Sequence, residues 1–315
     1  MDPVIGRFAP SPSGRMHLGN AFSALMAWAA ARSAGGKIIL RIEDLDPRAQ
    51  DPHNASLLMD DLHWLGLDWD EGPIFQSQRQ EIYLDALAQL QSKDLLYPCF
   101  CSRADLHAAT APHASDGTYV YKGTCRNLSQ NEVAQRLLEK APAMRLKVPD
   151  AHDPSGTISF TDLVYGFQQE NLSIDCGDFL VQRSDHIIAY QLAVVVDDAL
   201  TGVTQVVRGA DLLLSTPRQI YLQRLLAYPT PAYAHIPLLV SADGRRLSKR
   251  DKDLDLGTLR ACGIPAERII GLLAAAAGLA NPRERLFADN VAERFAWEPL
   301  RKHRANVNIR DAFAF

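Results

Sequence analysis

The chain has 315 residues, 47% of them hydrophobic, and 37 acidic against 33 basic side chains, for a net charge of −4. That length holds one sizeable core with room for an added subdomain, and the charge excludes a uniformly basic nucleic-acid binder, although cations gather at Arg245 to Lys252 and Arg301 to Arg304. No run of about 18 apolar residues and no basic-then-apolar leader occur, so the sequence predicts a cytoplasmic protein without a membrane span, in which five cysteines argue for free thiols or a metal over a disulfide framework.

A short apolar run, Val4 to Phe8, predicts a strand, and a helical pattern from Leu18 to Ala34 is closed by Gly35-Gly36. Between them Pro10-Ser11-Pro12-Ser13-Gly14 continues neither element, so it makes a tight turn that leaves backbone N–H groups at the helix entrance, a natural seat for a phosphate. His17 offers a ring nitrogen to such a group, and Gly19 exposes backbone against which a flat ring can lie; taken alone, these residues are equally an ordinary helix start. Lys37 to Ile42 predicts a buried strand and completes a βαβ unit, which puts Arg7 to Ser11 and Glu43 on one rim of a parallel sheet. Arg7 has the fork for a carboxylate, and Glu43 the charge for an ammonium group.

Ser77-x-x-Gln80 reads as a capping box opening a helix to about Ser92, after which Leu95 to Phe100 leads into irregular chain. Cys99-Phe100-Cys101 and Tyr121-x-x-x-Cys125 flank a segment with no strong periodicity, which a structural metal would order. Zinc favours tetrahedral thiolate and imidazole ligands, so Cys99, Cys101 and Cys125 fill three corners, and His107 and His113 are the chemically commoner donors for the fourth; without metal, these are small half-buried thiols beside Phe100. Ser129-x-x-Glu132 opens another capped helix, and strand-like runs follow at Ala143 to Val148, Thr157 to Phe160 and Phe179 to Gln182. Residues 98–175 read as an insertion.

The second half begins near Cys176. Tyr190 to Asp198 is apolar on nearly every side and predicts a buried element, and Val203 to Val207 predicts a β-branched strand ending at Arg208-Gly209-Ala210-Asp211. Thr216-Pro217 starts a helix as N-cap and first residue. Ile236 to Val240 is the strand before the basic loop Gly244-Arg245-Arg246-Leu247-Ser248-Lys249-Arg250, and Thr258 to Cys262 and Pro265 to Gly278 are short helices.

Two distant motifs carry a resemblance. His17-Leu18-Gly19-Asn20 is similar to the HIGH signature, and Arg246-Leu247-Ser248-Lys249-Arg250 to the KMSKS signature, of class I aminoacyl-tRNA synthetases. Arg7 to Gly14, with Leu40-Arg41-Ile42-Glu43-Asp44-Leu45-Asp46, resembles the glutamyl branch, and the pairing is far more specific than either motif alone. The resemblance covers essentially the whole chain but only the catalytic portion of the larger enzymes, with no residues left for their helical anticodon-binding region. It implies an α/β fold: a Rossmann-type (HUP) parallel-sheet catalytic domain in two halves, 1–97 and 176–245. To these it adds an inserted zinc-binding α+β subdomain, 98–175, that carries the acceptor RNA, and a KMSKS-like loop with a short helical C-terminal region, 246–315.

The activity implied is ATP-dependent, tRNA-independent activation of glutamate and, because the anticodon region is missing, transfer to queuosine in the anticodon loop of tRNA(Asp). Alternatives are charging of a tRNA 3′ end, a small-molecule ligase, and a silent tRNA-binding paralogue. By match to the family, Arg7, Phe8, Ala9, Pro10, Ser11, Glu43, Tyr190 and Arg208 hold glutamate. His17, Gly19, Asn20, Arg246, Leu247, Ser248 and Lys249 hold ATP, with His17 and Lys249 catalytic and Lys249 meeting the charge that builds on the pyrophosphate. Mg²⁺ accompanies ATP on phosphate oxygens, and the family suggests Tyr121 as fourth ligand of one structural Zn²⁺ beside Cys99, Cys101 and Cys125. Neither a membrane nor an obligate protein partner is implied.

Overall fold

The computed structural model describes residues 3–102, 120–241 and 255–308. Strand β1 (Ile5–Phe8) leads through α1 (Leu18–Ser33) to β2 (Lys37–Ile42), parallel to β1 with Arg7 opposite Ile39. Helix α2 (Pro52–Trp64) leads to β3 (Glu71–Phe75), parallel to β2, and α3 (Gln80–Ser92) follows. The chain then builds an antiparallel sheet in the order β4-β5-β8, from β4 (Leu96–Cys99), β5 (Ala143–Leu146) and β8 (Phe179–Gln182). Helix α4 (Gln130–Leu137) lies between β4 and β5, and the hairpin of β6 (Thr157–Asp162) and β7 (Gly166–Asn171) lies between β5 and β8. Next come α5 (Tyr190–Leu200), β9 (Gln205–Gly209), α6 (Thr216–Leu226) and β10 (Ala232–Ile236), parallel to β9. The described residues continue with β11 (Leu239–Val240), helices α7 (Leu256–Ala261), α8 (Ala266–Ala276), α9 (Ala288–Arg294) and α10 (Trp297–Lys302), and β12 (Val307–Asn308), parallel to β11.

The two parallel groups meet at β1 and β9. Thr204 N–H donates to the Ile5 carbonyl, Ile5 N–H to the Thr204 hydroxyl, and Arg7 Nη1 to the Val207 carbonyl. The strand order therefore reads β3-β2-β1-β9-β10, and the winding reverses between β1 and β9, where doubly wound sheets open a crevice at the strands' carboxyl ends.

Both faces of this sheet are covered, which is why β2 reads as a continuous apolar run. Ile38, Leu40 and Ile42 share a core with the first helix and the C-terminal helices, whereas Ile39 belongs with Val206, Tyr233 and helices α3, α5 and α6. The first helix is buried nearly all round because its alanines allow close approach: a Cβ on Gly6 of β1 would sit 3.4 Å from Ala31 Cβ. Gly36 turns the chain between helix and β2 so tightly that a Cβ there would lie 2.2 Å from the Val4 carbonyl oxygen.

Three local expectations are corrected. Ser77 is no cap: its hydroxyl and N–H donate to the Asp44 carboxylate at 2.6 and 2.8 Å, and the helix instead starts after Arg79 without a side-chain cap. Thr216 lies inside its helix, after Ser215, because its hydroxyl is committed to Arg208 and to the Leu212 carbonyl. The run Ile236 to Val240 is broken at Pro237, whose missing N–H cannot continue a ladder, so β10 ends at Ile236 and β11 pairs elsewhere. The capping box at Ser129 and Glu132 forms in full. No helix among the described residues is long and apolar enough to cross a membrane.

Candidate active site

A cavity of about 490 Å³ opens at the β1–β9 reversal, within the size range of small-molecule sites. Its wall collects Arg7, Phe8, Ala9, Pro10 and Ser11 from the end of β1, and His17, Gly19 and Asn20 from the first helix entrance. Glu43, Tyr190 and Arg208 close it from the end of β2, the start of α5 and the end of β9. Arg246, Leu247, Ser248 and Lys249 lie outside the described residues.

His17 is the helix N-cap, its Nδ1 accepting the Asn20 N–H at 3.3 Å, so the ring proton sits on Nε2, the nitrogen suited to donate to a phosphate oxygen. A Cβ at position 19 would lie 3.0 Å from that ring, so Gly19 is needed for the imidazole to fold over the helix entrance. The loop is braced from below by buried Asp61, which accepts Met16 N–H at 2.8 Å and pairs with Arg15 at 2.6 Å. Asp255 bridges to His17 and Leu256 N–H donates to the Met16 carbonyl, so the chain leaving the basic loop is seated on the same helix entrance.

Side chains alternate along a strand, so Arg7, Arg41 and Arg208 project from the same sheet face as Ile5, Ile39 and Val206, toward α5. The helix answers with two buried carboxylates. Asp198 pairs with Arg41 Nη1 at 2.5 Å and with Arg7 Nε at 3.5 Å; Asp197 accepts from Tyr83, Gln76 and Arg79. Burial works against charge on Asp198, but Arg41 and Arg7 outweigh it and hold the carboxyl below the ordinary range. Burial pushes Glu43 up, against the pull of Arg41 and Arg7, although Arg41 Nη2 donates to it at 3.2 Å. The protein thus presents two forks, Arg7 and Arg208, and one carboxylate, Glu43, to a single cavity, the complement of an amino acid with an acidic side chain.

A second cluster lies at the end of β4. The Cys101 and Cys125 sulfurs are 3.7 Å apart, and Tyr121 Oη is 3.5 Å from Cys99 Sγ and 3.6 Å from Cys101 Sγ. Around a tetrahedral ion with metal–sulfur bonds of about 2.3 Å, sulfurs sit about 3.8 Å from each other, so the three thiols fit three corners of a zinc site. Arg145 Nε and Phe100 N–H donate to the Cys99 and Cys125 sulfurs at 3.2 and 3.4 Å, as outer partners of thiolate ligands do. Burial pushes the Cys99 thiol up, but hydrogen bonds led by Tyr121 overcome it and hold it below the usual thiol range. His107 and His113 lie outside the described residues.

The fold is that of a Rossmann-type catalytic domain with its cavity at the winding reversal, and residues 3–311 match the family model for class I tRNA synthetases (E and Q), catalytic domain; the chain belongs to that family. Within it, the chain is similar to the glutamyl-Q tRNA(Asp) synthetases of Symbiobacterium thermophilum, 52% identical over 89% of this chain and 88% of that protein, and Nitratidesulfovibrio vulgaris, 50% identical over 88% and 87%. It also resembles the crystal structure of a glutamate tRNA ligase from Elizabethkingia meningosepticum in complex with its amino acid. That likeness has a TM-score of 0.81 at 27% identity and spans 99% of this chain and 68% of that one.

Sequence reasoning missed Asp198, Asp162 and His235. Asp197-Asp198 inside an otherwise apolar helix was the available signal, since a charge pair on an all-round buried helix requires cationic partners. Nothing local marked Asp162 and His235, whose partners are remote in sequence.

Proposed function

We propose that the chain activates glutamate with ATP in the absence of RNA and transfers it to queuosine in the anticodon loop of tRNA(Asp). The observation that carries the reading is the meeting, in one cavity, of two arginine forks and Glu43 with the helix-entrance loop of His17, in a chain half identical to glutamyl-Q tRNA(Asp) synthetases.

Arg7 and Arg208 take the substrate's two carboxylates, Glu43 and Ser11 its ammonium, and Tyr190 closes the pocket. A carboxylate oxygen of glutamate attacks the α-phosphorus of ATP; the bond to pyrophosphate breaks and glutamyl-adenylate forms. His17 Nε2 and the loop N–H groups hold phosphate oxygens, Gly19 and Asn20 line the nucleotide's side, and Arg246, Leu247, Ser248 and Lys249 complete the phosphate site, with Lys249 neutralising the leaving pyrophosphate. A hydroxyl of queuosine then attacks the acyl carbonyl and AMP leaves. No side chain acts as nucleophile.

Mg²⁺ would accompany ATP, held mainly by its phosphate oxygens, so no dedicated set of protein ligands is required. Cys99, Cys101 and Cys125, with Tyr121 as the fourth donor, would hold one zinc, which would supply a structural cross-link between β4 and the chain at 121–125 within the insertion, 98–175, read as facing the RNA. The reading is tested by ATP–pyrophosphate exchange with each amino acid in turn and no RNA present: exchange with glutamate alone supports it, and exchange that requires tRNA or prefers another amino acid overturns it.

A further inference from the structure

Arg208 is held by one neighbour in the cavity wall, Leu212, and by two groups outside the lining, His235 and Thr216. Its Nε donates to His235 Nε2 at 3.0 Å, and its Nη2 donates to Thr216 Oγ1 at 2.8 Å and to the Leu212 carbonyl at 3.2 Å. Nη1, buried, is the guanidinium nitrogen with no hydrogen-bond partner among the described residues. His235 Nε2 can accept from Arg208 only if the imidazole is neutral with its proton on Nδ1, and Nδ1 faces Asp162 Oδ2 at 2.6 Å. Asp162 is itself fixed, because its Oδ1 accepts the N–H groups of Val164 and Tyr165 at 2.9 and 2.8 Å in the turn that joins β6 to β7. Burial first, and the Arg208 charge after it, push His235 down to about 4 against the Asp162 hydrogen bond, consistent with a neutral ring.

We infer that Asp162 and His235 are positioning residues for amino-acid recognition: Asp162 selects the His235 tautomer that accepts from Arg208 Nε, and this fixes the Arg208 guanidinium in the wall of the cavity. The inference rests on the proposed role of Arg208 in holding glutamate. The opposite tautomer would set an imidazole N–H against the Arg208 Nε–H and swing the fork away. Position 208 lies opposite 235 in the β9–β10 register, and Asp162 comes from the hairpin between β5 and β8, so a segment outside the parallel sheet sets the geometry of the pocket.

Asp162→Asn tests this selectively. The amide keeps one oxygen for the turn N–H groups but replaces Oδ2 by a donor, which forces the His235 proton to Nε2. In ATP–pyrophosphate exchange the KM for glutamate should rise about tenfold or more, as loss of an orienting outer partner commonly does, with the KM for ATP unchanged; because Oδ2 also accepts the His235 N–H at 3.1 Å, some loss of melting temperature accompanies the change and does not bear on the inference. The ¹⁵N spectrum of His235 should report the switched tautomer, and adding Asp162→Asn to Arg208→Lys should cost nothing further. If Asp162→Asn does not fold, His235→Gln, which retains an acceptor, should keep the KM for glutamate nearer to wild type than His235→Leu. A switched tautomer with an unchanged KM for glutamate, parallel rises in both KM values, or equal behaviour of the Gln and Leu variants would each overturn the inference. Absence of glutamate-dependent exchange in the wild-type chain would instead overturn the function itself and, with it, the ligand named for Arg208.

Discussion

Asp198→Asn removes one charge and almost no volume from the ionic layer beneath the cavity. Asp198 is 5% exposed and serves two buried guanidinium groups, Arg41 at 2.5 Å and Arg7 at 3.5 Å. Breaking a buried pair by neutralising one partner costs about 3–5 kcal/mol, and because the amide oxygen still accepts one hydrogen bond, the lower end, about 3 kcal/mol, is expected. At about 2–4 °C per kcal/mol for a domain of a few hundred residues, the melting temperature at neutral pH should fall by about 6–12 °C. The pH dependence has a definite sign. Asp198 is held below its unfolded value, so its contribution is fully present above the unfolded pKa of about 3.9 and is lost as pH falls through the lower folded value. Glu43 moves the opposite way, and because the Asp198 charge is one of the causes that raise it, the substitution relieves Glu43 and offsets part of the loss at neutral pH. Thermal unfolding of both proteins between neutral pH and the acid limit should show the gap narrowing on acidification. A gap of under about 1 °C at neutral pH, or one that widens in acid, would refute the reasoning.

Lys249→Ala should lower exchange about a hundredfold, the usual cost of losing one preformed contact to a transition-state charge of about 3 kcal/mol, with melting unchanged; steady-state exchange rates check it. Metal analysis should find one zinc per chain; Tyr121→Phe should weaken zinc retention against a competing chelator, whereas zinc-free protein from zinc-replete growth would return the cysteines to plain packing. Ser129→Ala should cost about 1 kcal/mol, because the Ser129–Glu132 box forms in full, and Ser77→Ala should leave the helix start of α3 intact because Ser77 caps nothing; hydrogen exchange at each helix entrance distinguishes them.

The opening of the fold was legible because its signals are local. A strand, a turn that can continue neither neighbour, and an alanine-rich helix follow one another within 33 residues, and the structure has strand Ile5–Phe8 and helix Leu18–Ser33 there. Residues at strand ends, such as Arg7, Glu43 and Arg208, were also readable, since parallel sheets bring those ends to one rim. What stayed hidden is what those residues touch. Asp198 reaches Arg41 across 157 positions, and Asp162 reaches His235 across 73, with no periodicity linking them. The Ser77 motif failed for a related reason: the pattern fits a capping box, but the distant Asp44 carboxylate competes for the hydroxyl and takes it. The hairpin partner Gly166–Asn171 was missed because its residues are mostly polar and only Glu170 is buried.

The most direct test of the account is transfer of labelled glutamate, after ATP-dependent activation, to tRNA from cells that make queuosine and to tRNA from cells that do not. The account predicts label in tRNA(Asp) from the first source and none above background from the second. Equal labelling of the two would contradict it and assign the acceptor to the tRNA 3′ end.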